Sequence, residues 1–177
     1  IGTRARFEKI SRARSVWNGF ERHDYRLPKT EASYTLVLPH TAAKGQPWIW
    51  RARFFGHQPA LDLALPDRGY HLAYVDVANL YGSAEAMKRC DEFYQFLTTN
   101  FKFNQKSIME GMSRGGLMIF TYAAKHPDRV SAIYGDNPVC DFKSWPGGQN
   151  GKLSKADWQR CLKVYGLTAE TAAAHPQ

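Results

Sequence analysis

The feature that most constrains this 177-residue chain is a serine framed by glycines, Gly111-Met112-Ser113-Arg114-Gly115-Gly116. A short apolar stretch over 106–110 leads into it, and an amphipathic run over 117–125 follows without a break. The pattern predicts a strand, a sharp turn with Ser113 at its apex, and a helix. Glycines two positions either side of the serine leave room for such a turn, and Gly116 is expected to let the helix approach the sheet closely.

Strands and helices alternate along most of the sequence. Residues 20–27 and 32–38 are rich in strand formers and predict a hairpin. A buried stripe of Ala86, Cys90, Phe93 and Leu97, with Ser83 as the N-cap, predicts a helix. The other predicted elements are strands at 48–55, 70–77 and 130–134 and helices at 59–65, 154–166 and 169–174. From residue 48 onward this alternation favours a parallel sheet with helices on both faces.

Composition is that of an ordinary globular protein, with 44% hydrophobic and 23% charged residues, and predicts a single domain over 1–177. No apolar run approaches the ~20 residues that a membrane span needs. The net charge is +8, with a basic arm over 1–16. A solvated basic arm is the simpler interpretation, an anionic polysaccharide substrate is the alternative, and no nucleic-acid motif is present. Three scattered cysteines predict neither a disulfide framework nor a zinc site and do not decide the compartment.

Three blocks of sequence carry a resemblance to a known family. They are Gly111–Gly116, Pro47–His57 with its Trp-Ile-Trp-Arg-Ala-Arg-Phe-Phe-Gly run, and Pro138–Gly148 with its Ser-Trp-Pro-Gly-Gly ending. Together they resemble bacterial α/β-hydrolases, in particular an esterase-like group, over most of residues 15–170. The Ser-Arg pair is similar, more distantly, to that of glucuronoyl esterases. The resemblance implies an α/β-hydrolase fold with a mostly parallel sheet, here expected to lack its C-terminal strands.

Ser113 is the predicted nucleophile, since an imidazole can activate a serine hydroxyl for attack on an ester. In this fold the oxyanion of the tetrahedral intermediate accepts from the backbone N–H after the nucleophile, here that of Arg114. The second donor is expected from Arg51, Ala52 or Arg53 at the end of the third predicted strand, and we favour Ala52. The Arg114 guanidinium is a candidate oxyanion or substrate-carboxylate contact, and a surface arginine at a helix start is the alternative.

The remaining triad members are not identified by the sequence. Asp136 and Asp141 are candidate acids, although an Asx-turn and a loop brace are the favoured explanations of these two residues. His126 is predicted to lie about 18 Å along the helix from Ser113 and out of reach. His175 has no strand before it to hold it near the site. We therefore expect the histidine to come from a missing C-terminal segment or from another chain.

The predicted activity is hydrolysis of a carboxylic ester through an acyl-serine intermediate, without a metal or organic cofactor. The substrate is expected to be a small molecule or an ester on a polysaccharide, with Trp145 and Arg51 as candidate contacts. Other aromatic residues are available for stacking, but core packing is favoured for those of the third strand. Three alternatives stay open: a serine peptidase of the same fold, a non-catalytic hydrolase-like binding module, and a basic polyanion-associated protein.

Overall fold

The predicted strands assemble into one seven-stranded sheet. The computed structural model describes residues 13–149 and 151–176. Its strands are β1 (Ala13–Trp17), β2 (Phe20–Arg26), β3 (Ser33–Leu38), β4 (Trp48–Arg51), β5 (His71–Val75), β6 (Ser107–Met112) and β7 (Val130–Asp136). In space they follow the order β1-β2-β3-β5-β4-β6-β7.

The sheet has two halves of different character. The pairs β1–β2, β2–β3 and β3–β5 are antiparallel. The pairs β4–β5, β4–β6 and β6–β7 are parallel. The parallel half begins where the sequence starts to alternate between strand and helix, as a crossover connection requires. Its four carboxyl ends lie at one edge of the sheet, where ligands bind in open α/β folds.

The helices are α1 (Ala60–Ala64), α2 (Ala84–Phe96), α3 (Gly115–Lys125), α4 (Lys155–Tyr165) and α5 (Ala169–Ala173). Helix α2 begins as predicted, because the Ser83 hydroxyl accepts from the Ala86 N–H at 3.4 Å. The predicted stripe along α2 is fully buried. Helix α4 ends at Gly166, which adopts φ +67° as a C-cap. A π-turn at Leu97–Phe101 extends α2.

Both faces of the sheet are covered, because side chains on β4 alternate between two cores. Trp48 and Trp50 pack on one face with buried residues of α2 and α3. Ile49 packs on the other face with Leu72 and with Leu61 of α1. A third cluster, around Phe142, Cys161 and Leu162, joins the loop after β7 to α4. The aromatic residues of β4 are therefore core residues, as favoured.

The structure corrects the extent of the basic arm. Residues 13–16 belong to β1, whereas residues 1–12 lie outside the described part of the chain. Asn18 and Gly19, with φ values of +47° and +86°, form the turn between β1 and β2. An Asn-Gly pair is a strong hairpin signal, so the sequence did contain the information for this strand. No helix in the described residues combines the length and apolarity needed to cross a bilayer.

The third predicted strand ends earlier than expected. It was predicted to run to residue 55, but β4 stops at Arg51 and the chain turns at once. Phe54 adopts φ +55°, which a strand does not tolerate. We call residues 52–58 the oxyanion loop, because they follow the strand that is expected to supply the second oxyanion donor.

Candidate active site

Ser113 lies at the apex of the turn between β6 and α3. Its φ is +50°, a left-handed conformation that a non-glycine residue rarely adopts, and its side chain is exposed. Two backbone bonds tie the turn to the end of β7: the Ser113 N–H donates to the Asp136 carbonyl at 2.9 Å, and the Val139 N–H donates to the Ser113 carbonyl at 2.8 Å. The serine hydroxyl is thus raised above the carboxyl edge of the sheet on a fixed backbone.

The three glycines of the motif each make room for a different neighbour. A Cβ at Gly111 would meet the Ile119 side chain at 2.5 Å, so this glycine lets α3 cross over β6. A Cβ at Gly116 would meet the Val139 carbonyl at 2.5 Å. Gly116 therefore admits the segment after β7 rather than the sheet itself, which corrects the sequence expectation. Gly115 is the glycine that faces the end of β4, since its Cβ would lie 3.5 Å from that of Ala52.

Backbone strain concentrates at this edge. Among the described non-glycine residues, ten have positive φ. Six of them lie in the four segments that follow the parallel strands: Phe54, Gln58, Asn79, Tyr81, Ser113 and Asn137. Such residues cost roughly 1–3 kcal/mol each and cluster at functional sites. The carboxyl edge of the parallel half is accordingly the candidate active site.

Arg114 is held in place by two contacts on the far side of the turn. Its guanidinium donates to Asp157 of α4 at 3.3 Å and lies over the Trp145 ring, 4.6 Å from the centroid. Asp157 also accepts from the Tyr81 hydroxyl at 2.7 Å and from Arg160 at 3.2 Å. These donors hold the pKa of Asp157 below its usual value although partial burial opposes them. Two guanidinium groups therefore share one carboxylate beside Ser113.

Trp145 packs within the protein instead of presenting an open ring. One face of its indole is covered by Arg114, and the Tyr81 ring lies 6.3 Å away. The side chain is half-buried against the third cluster. In this structure Trp145 braces Arg114 through one face of its indole ring.

Arg51 lies beneath the turn, away from any substrate surface. Its side chain is fully buried and donates from all three nitrogens: to Asp62 at 2.7 Å, to Glu110 at 2.9 Å, and to three backbone carbonyls. Those carbonyls belong to Arg53, Phe54 and His57 of the oxyanion loop, at 2.8, 3.0 and 2.8 Å. The expected substrate contact is not made in this structure, because strand alternation turns Arg51 inward.

Burial of two carboxylates around one guanidinium changes their protonation. Burial, reinforced by Asp62, raises the pKa of Glu110 to about 8. Burial also raises the pKa of Asp62, while Glu110 and Arg51 act in the opposite direction. One oxygen of each carboxylate is buried without a partner, Asp62 Oδ1 and Glu110 Oε2. Burial therefore favours a proton on this pair of carboxyl groups near neutral pH.

The backbone donors at the end of β4 differ from the favoured assignment. The Ala52 N–H is occupied, because it donates to the Glu110 carbonyl at 2.9 Å. The Arg53 N–H and the Arg114 N–H donate to no protein acceptor in the described part of the chain. The Arg53 nitrogen would lie 3.7 Å from a Cβ placed on Gly115, so the two segments adjoin. A cavity of about 20 Å³, room for one water-sized group, is lined by both segments.

The two candidate acids stand in different surroundings. Asp136 ends β7, and its backbone carbonyl holds Ser113. Asp141 lies farther along the loop, and its carboxylate accepts from the Lys143 N–H at 2.8 Å. Its backbone carbonyl accepts from Ser144 and Trp145 as well. Asp141 thus braces its own loop, the alternative interpretation of the sequence.

No described histidine is recorded in contact with Ser113. His126 pairs with Asp91 at 3.0 Å beyond the end of α3, which fits the expectation that it cannot reach. His175 packs against the rings of Phe142 and Tyr165. Buried His71 has its pKa lowered to about 4 by desolvation. Of the others, His23 pairs with Glu21, His40 stacks on Phe20, and the His57 carbonyl is used by Arg51.

Sequence reasoning missed the roles of three residues of this site, Asp157, Asp62 and Glu110, and it considered Tyr81 only among the aromatic residues available for stacking. The spacing of Ser154 and Asp157 in the sequence is typical of a capping pair, and the structure does show Ser154 donating to Asp157 at 2.8 Å. However, the Ser154 side chain caps no backbone group. Glu110 carried one usable signal, a charged residue inside an otherwise apolar strand. Within the described residues no cluster of three or more His, Cys, Asp or Glu side chains is arranged to hold a metal.

The sequence matches no protein-family model and no curated protein. Solved structures do match. Candida antarctica lipase A superposes with a TM-score of 0.57 at 13% identity, covering 88% of this chain and 46% of the lipase. A cold-adapted esterase from an Arctic intertidal metagenomic library gives 0.55 at 11%, covering 70% and 61%. An acetyl xylan esterase from Aspergillus awamori gives 0.52 at 12%, covering 64% and 52%.

These comparisons, with the strand order and the turn at Ser113, identify the class of fold. The chain has the α/β-hydrolase fold, with a mixed sheet whose parallel half carries the candidate site. Sequence identities of 11–13% extend the likeness to the fold alone. The chain spans about half the length of the structures that it matches.

Proposed function

We propose that this protein is a serine hydrolase that cleaves a carboxylic ester through an acyl-serine intermediate. The observation that carries the proposal is the conformation of Ser113, an exposed serine at φ +50° between a parallel strand and a helix. A serine that merely filled a turn would gain nothing from this strain, whereas a nucleophile gains exposure and a fixed direction.

The proposed reaction begins with attack of Ser113 Oγ on the ester carbonyl carbon. An imidazole takes the serine proton and returns it to the leaving alcohol, and water then hydrolyses the acyl-serine with the same proton relay. The imidazole belongs to a residue outside the described set, from further chain or from a partner. Asp136 and Asp141 both stay candidates for the acid, because each carboxylate accepts from its own loop: Asp136 from the Asn137 side chain at 3.3 Å, and Asp141 from the Lys143 N–H at 2.8 Å.

The oxyanion of the tetrahedral intermediate would accept from the backbone N–H groups of Arg114 and Arg53. Both are without a protein acceptor in the described residues, and both adjoin the small cavity at Gly115. Removing one such donor typically costs a hydrolase about 2.7–4 kcal/mol of transition-state stabilisation. This proposal replaces Ala52, whose N–H is used within the sheet.

The Arg114 side chain would favour substrates with negative charge near the scissile bond. It shares Asp157 with Arg160, so the pair leaves one positive charge uncompensated at the rim of the site. An ester attached to an acidic polysaccharide would fit this charge. One of the structurally similar proteins is an acetyl xylan esterase. This likeness is one of fold alone, and a carbohydrate substrate is compatible with it.

The direct test is labelling of the full-length protein with a fluorophosphonate probe. We expect the label on Ser113, loss of labelling and of p-nitrophenyl acetate hydrolysis in Ser113→Ala, and neither loss in Ser131→Ala. Ser131 is a matched control because its hydroxyl only donates to the Ser107 carbonyl in the sheet. Cleavage of peptides but not esters would select a serine peptidase instead. Absence of any label would select a non-catalytic binding module.

A further inference from the structure

Beneath the turn, one buried arginine connects two carboxylates to the oxyanion loop. Arg51 comes from β4, Asp62 from α1 and Glu110 from β6, and all three are buried. One guanidinium nitrogen, Nη1, donates to both carboxylates. The other two nitrogens donate only to carbonyls of the oxyanion loop. The same side chain therefore binds both carboxylates and the three carbonyls of the oxyanion loop.

The charges in this cluster balance only if it holds a proton. One guanidinium against two ionised carboxylates would leave a net negative charge in the interior, where an uncompensated charge is very costly. The two carboxyl groups accept from the same guanidinium nitrogen, at 2.7 and 2.9 Å, and each has a second oxygen that is buried without a hydrogen-bond partner. One proton shared between those oxygens neutralises the cluster and supplies the missing hydrogen bond.

The oxyanion loop depends on Arg51 for its shape. Phe54 and Gln58 adopt strained φ values of +55° and +45°. Within residues 53–57 the backbone itself forms one hydrogen bond, in which the His57 N–H donates to the Phe54 carbonyl at 3.0 Å. Arg51 therefore fixes the peptide group that follows Arg53. Through the backbone torsions of Arg53 this bond also restricts the preceding peptide group, which carries the proposed second oxyanion donor.

We propose that Arg51, Asp62 and Glu110 form a one-proton positioning device that holds the oxyanion loop in its catalytic conformation. The inference rests on the proposed function for its catalytic consequence. When the shared proton is lost, the two carboxylates repel at short range, and the guanidinium that holds both must shift. The bonds from Arg51 to the three loop carbonyls then weaken, and the Arg53 N–H is no longer oriented towards the oxyanion.

Other charged and titratable groups face the cluster from the neighbouring elements. Asp136, at the end of β7, acts on Glu110 in the same direction as Asp62 and favours retention of the proton. Tyr134 is the β7 residue paired with Glu110, and it is half-exposed. On the oxyanion loop itself, His57 contributes its carbonyl while its side chain is exposed. The Arg51 guanidinium acts in the opposite direction, because its positive charge lowers the pKa of both Asp62 and Glu110.

The proton itself is tested by infrared spectroscopy of the unreacted full-length protein at pH 7. We expect a protonated carboxyl band that disappears in Glu110→Gln and persists in the control Glu92→Gln, whose carboxylate accepts from the Lys29 and Thr30 N–H groups on the surface. Asp62→Asn is the second variant and should also remove the shared proton. A spectrum with no difference between wild type and both cluster variants would overturn the proposal.

The coupling to the loop is tested by amide exchange and by kinetics. We expect protection of the His57 amide to fall about tenfold as the pH rises past 8 in the wild type and to stay constant in Glu110→Gln. With an ester substrate, kcat should decline over the same range while KM holds, and Glu110→Gln should lack this decline. An identical alkaline decline in Glu110→Gln would refute the coupling. If no ester is hydrolysed, the proposed function fails. The infrared and amide-exchange results still show whether the three residues share a proton and hold the oxyanion loop.

Discussion

Two arginines close to the nucleophile turn, Arg51 and Arg114, lie in opposite environments. Arg51, below the turn, is fully buried and donates to two carboxylates and three carbonyls. Arg114, on the rim, is about a quarter exposed and shares Asp157 with Arg160. Below the turn, the charge of Arg51 is fully compensated, and its side chain fixes the backbone of the oxyanion loop. At the rim, positive charge is left over and available to a ligand. Residue type alone therefore predicts neither role.

The sharpest way to break this comparison is to remove each arginine in turn. Arg51→Met should lower the free energy of unfolding by about 3–5 kcal/mol, because it leaves two carboxylates buried without their cation. Arg114→Met should change it by no more than about 1 kcal/mol, since exposed ion pairs contribute little. Urea denaturation of both variants measures the difference. Equal losses in the two variants would contradict the distinction between a buried and a rim arginine.

A second test uses the pH dependence of stability. The folded pKa of Glu110 is about 8, raised from an ordinary value of 4.5, so between these values the folded state holds a proton that the unfolded state has released. Stability should therefore fall as the pH rises from 4.5 to 8, by at most about 1.4 kcal/mol per pH unit, and level off above 8. Denaturation of Glu110→Gln across this range should lack that component. Parallel curves for the two proteins would be inconsistent with a buried, protonated Glu110.

The rim arginine should show its effect in selectivity. Arg114→Ala is expected to lower kcat/KM for an ester bearing a carboxylate by about tenfold, which corresponds to about 1.4 kcal/mol. A neutral ester of the same size should lose much less. Arg114→Lys keeps the charge but not the planar fork and should recover part of the selectivity. Equal losses on both esters would indicate that the guanidinium acts on the reaction and not on substrate charge.

The smallest effect is expected from the residue that orients Arg114. Asp157→Asn should reduce the same selectivity by about threefold in kcat/KM, because Trp145 still holds the guanidinium from one face. The pKa of Asp157 is already depressed, so lowering the pH towards its ordinary value of 3.8 leaves the wild-type contact intact. Steady-state kinetics on the charged and neutral esters measure the change. A loss of selectivity larger than that of Arg114→Ala would contradict the assignment of Asp157 as the residue that orients Arg114.

What the sequence could predict here depended on local signals. The strand, turn and helix around Ser113 were predicted because glycine spacing and apolar periodicity act within 20 residues. The Ser83 cap and the α2 stripe are local in the same sense. The order of such elements predicted a parallel sheet with helices on both faces, and the resemblance of three sequence blocks implied the α/β-hydrolase fold, which the matching solved structures confirm.

What could not be predicted are contacts between distant segments. Arg51 meets Asp62 and Glu110 only after β4 and β6 pair and α1 packs beside them. Asp157 accepts from Arg114 across 43 residues of sequence and from Tyr81 across 76, whereas its donors Ser154 and Arg160 are local. The assignment of the second oxyanion donor to Ala52 failed for the same reason, because the bond that occupies its N–H depends on strand register. These are effects of tertiary structure with no periodic trace in the chain.

The left-handed backbone at Ser113 carries an implication for anyone who selects variants of this protein by heat tolerance alone. Glycine relaxes that conformation at no steric penalty, so the residue we hold responsible for chemistry is one that a thermal screen would tend to discard. Lineages optimised only for robustness would drift towards well-folded but inert molecules. The serine at this bend is retained only while turnover is itself under selection.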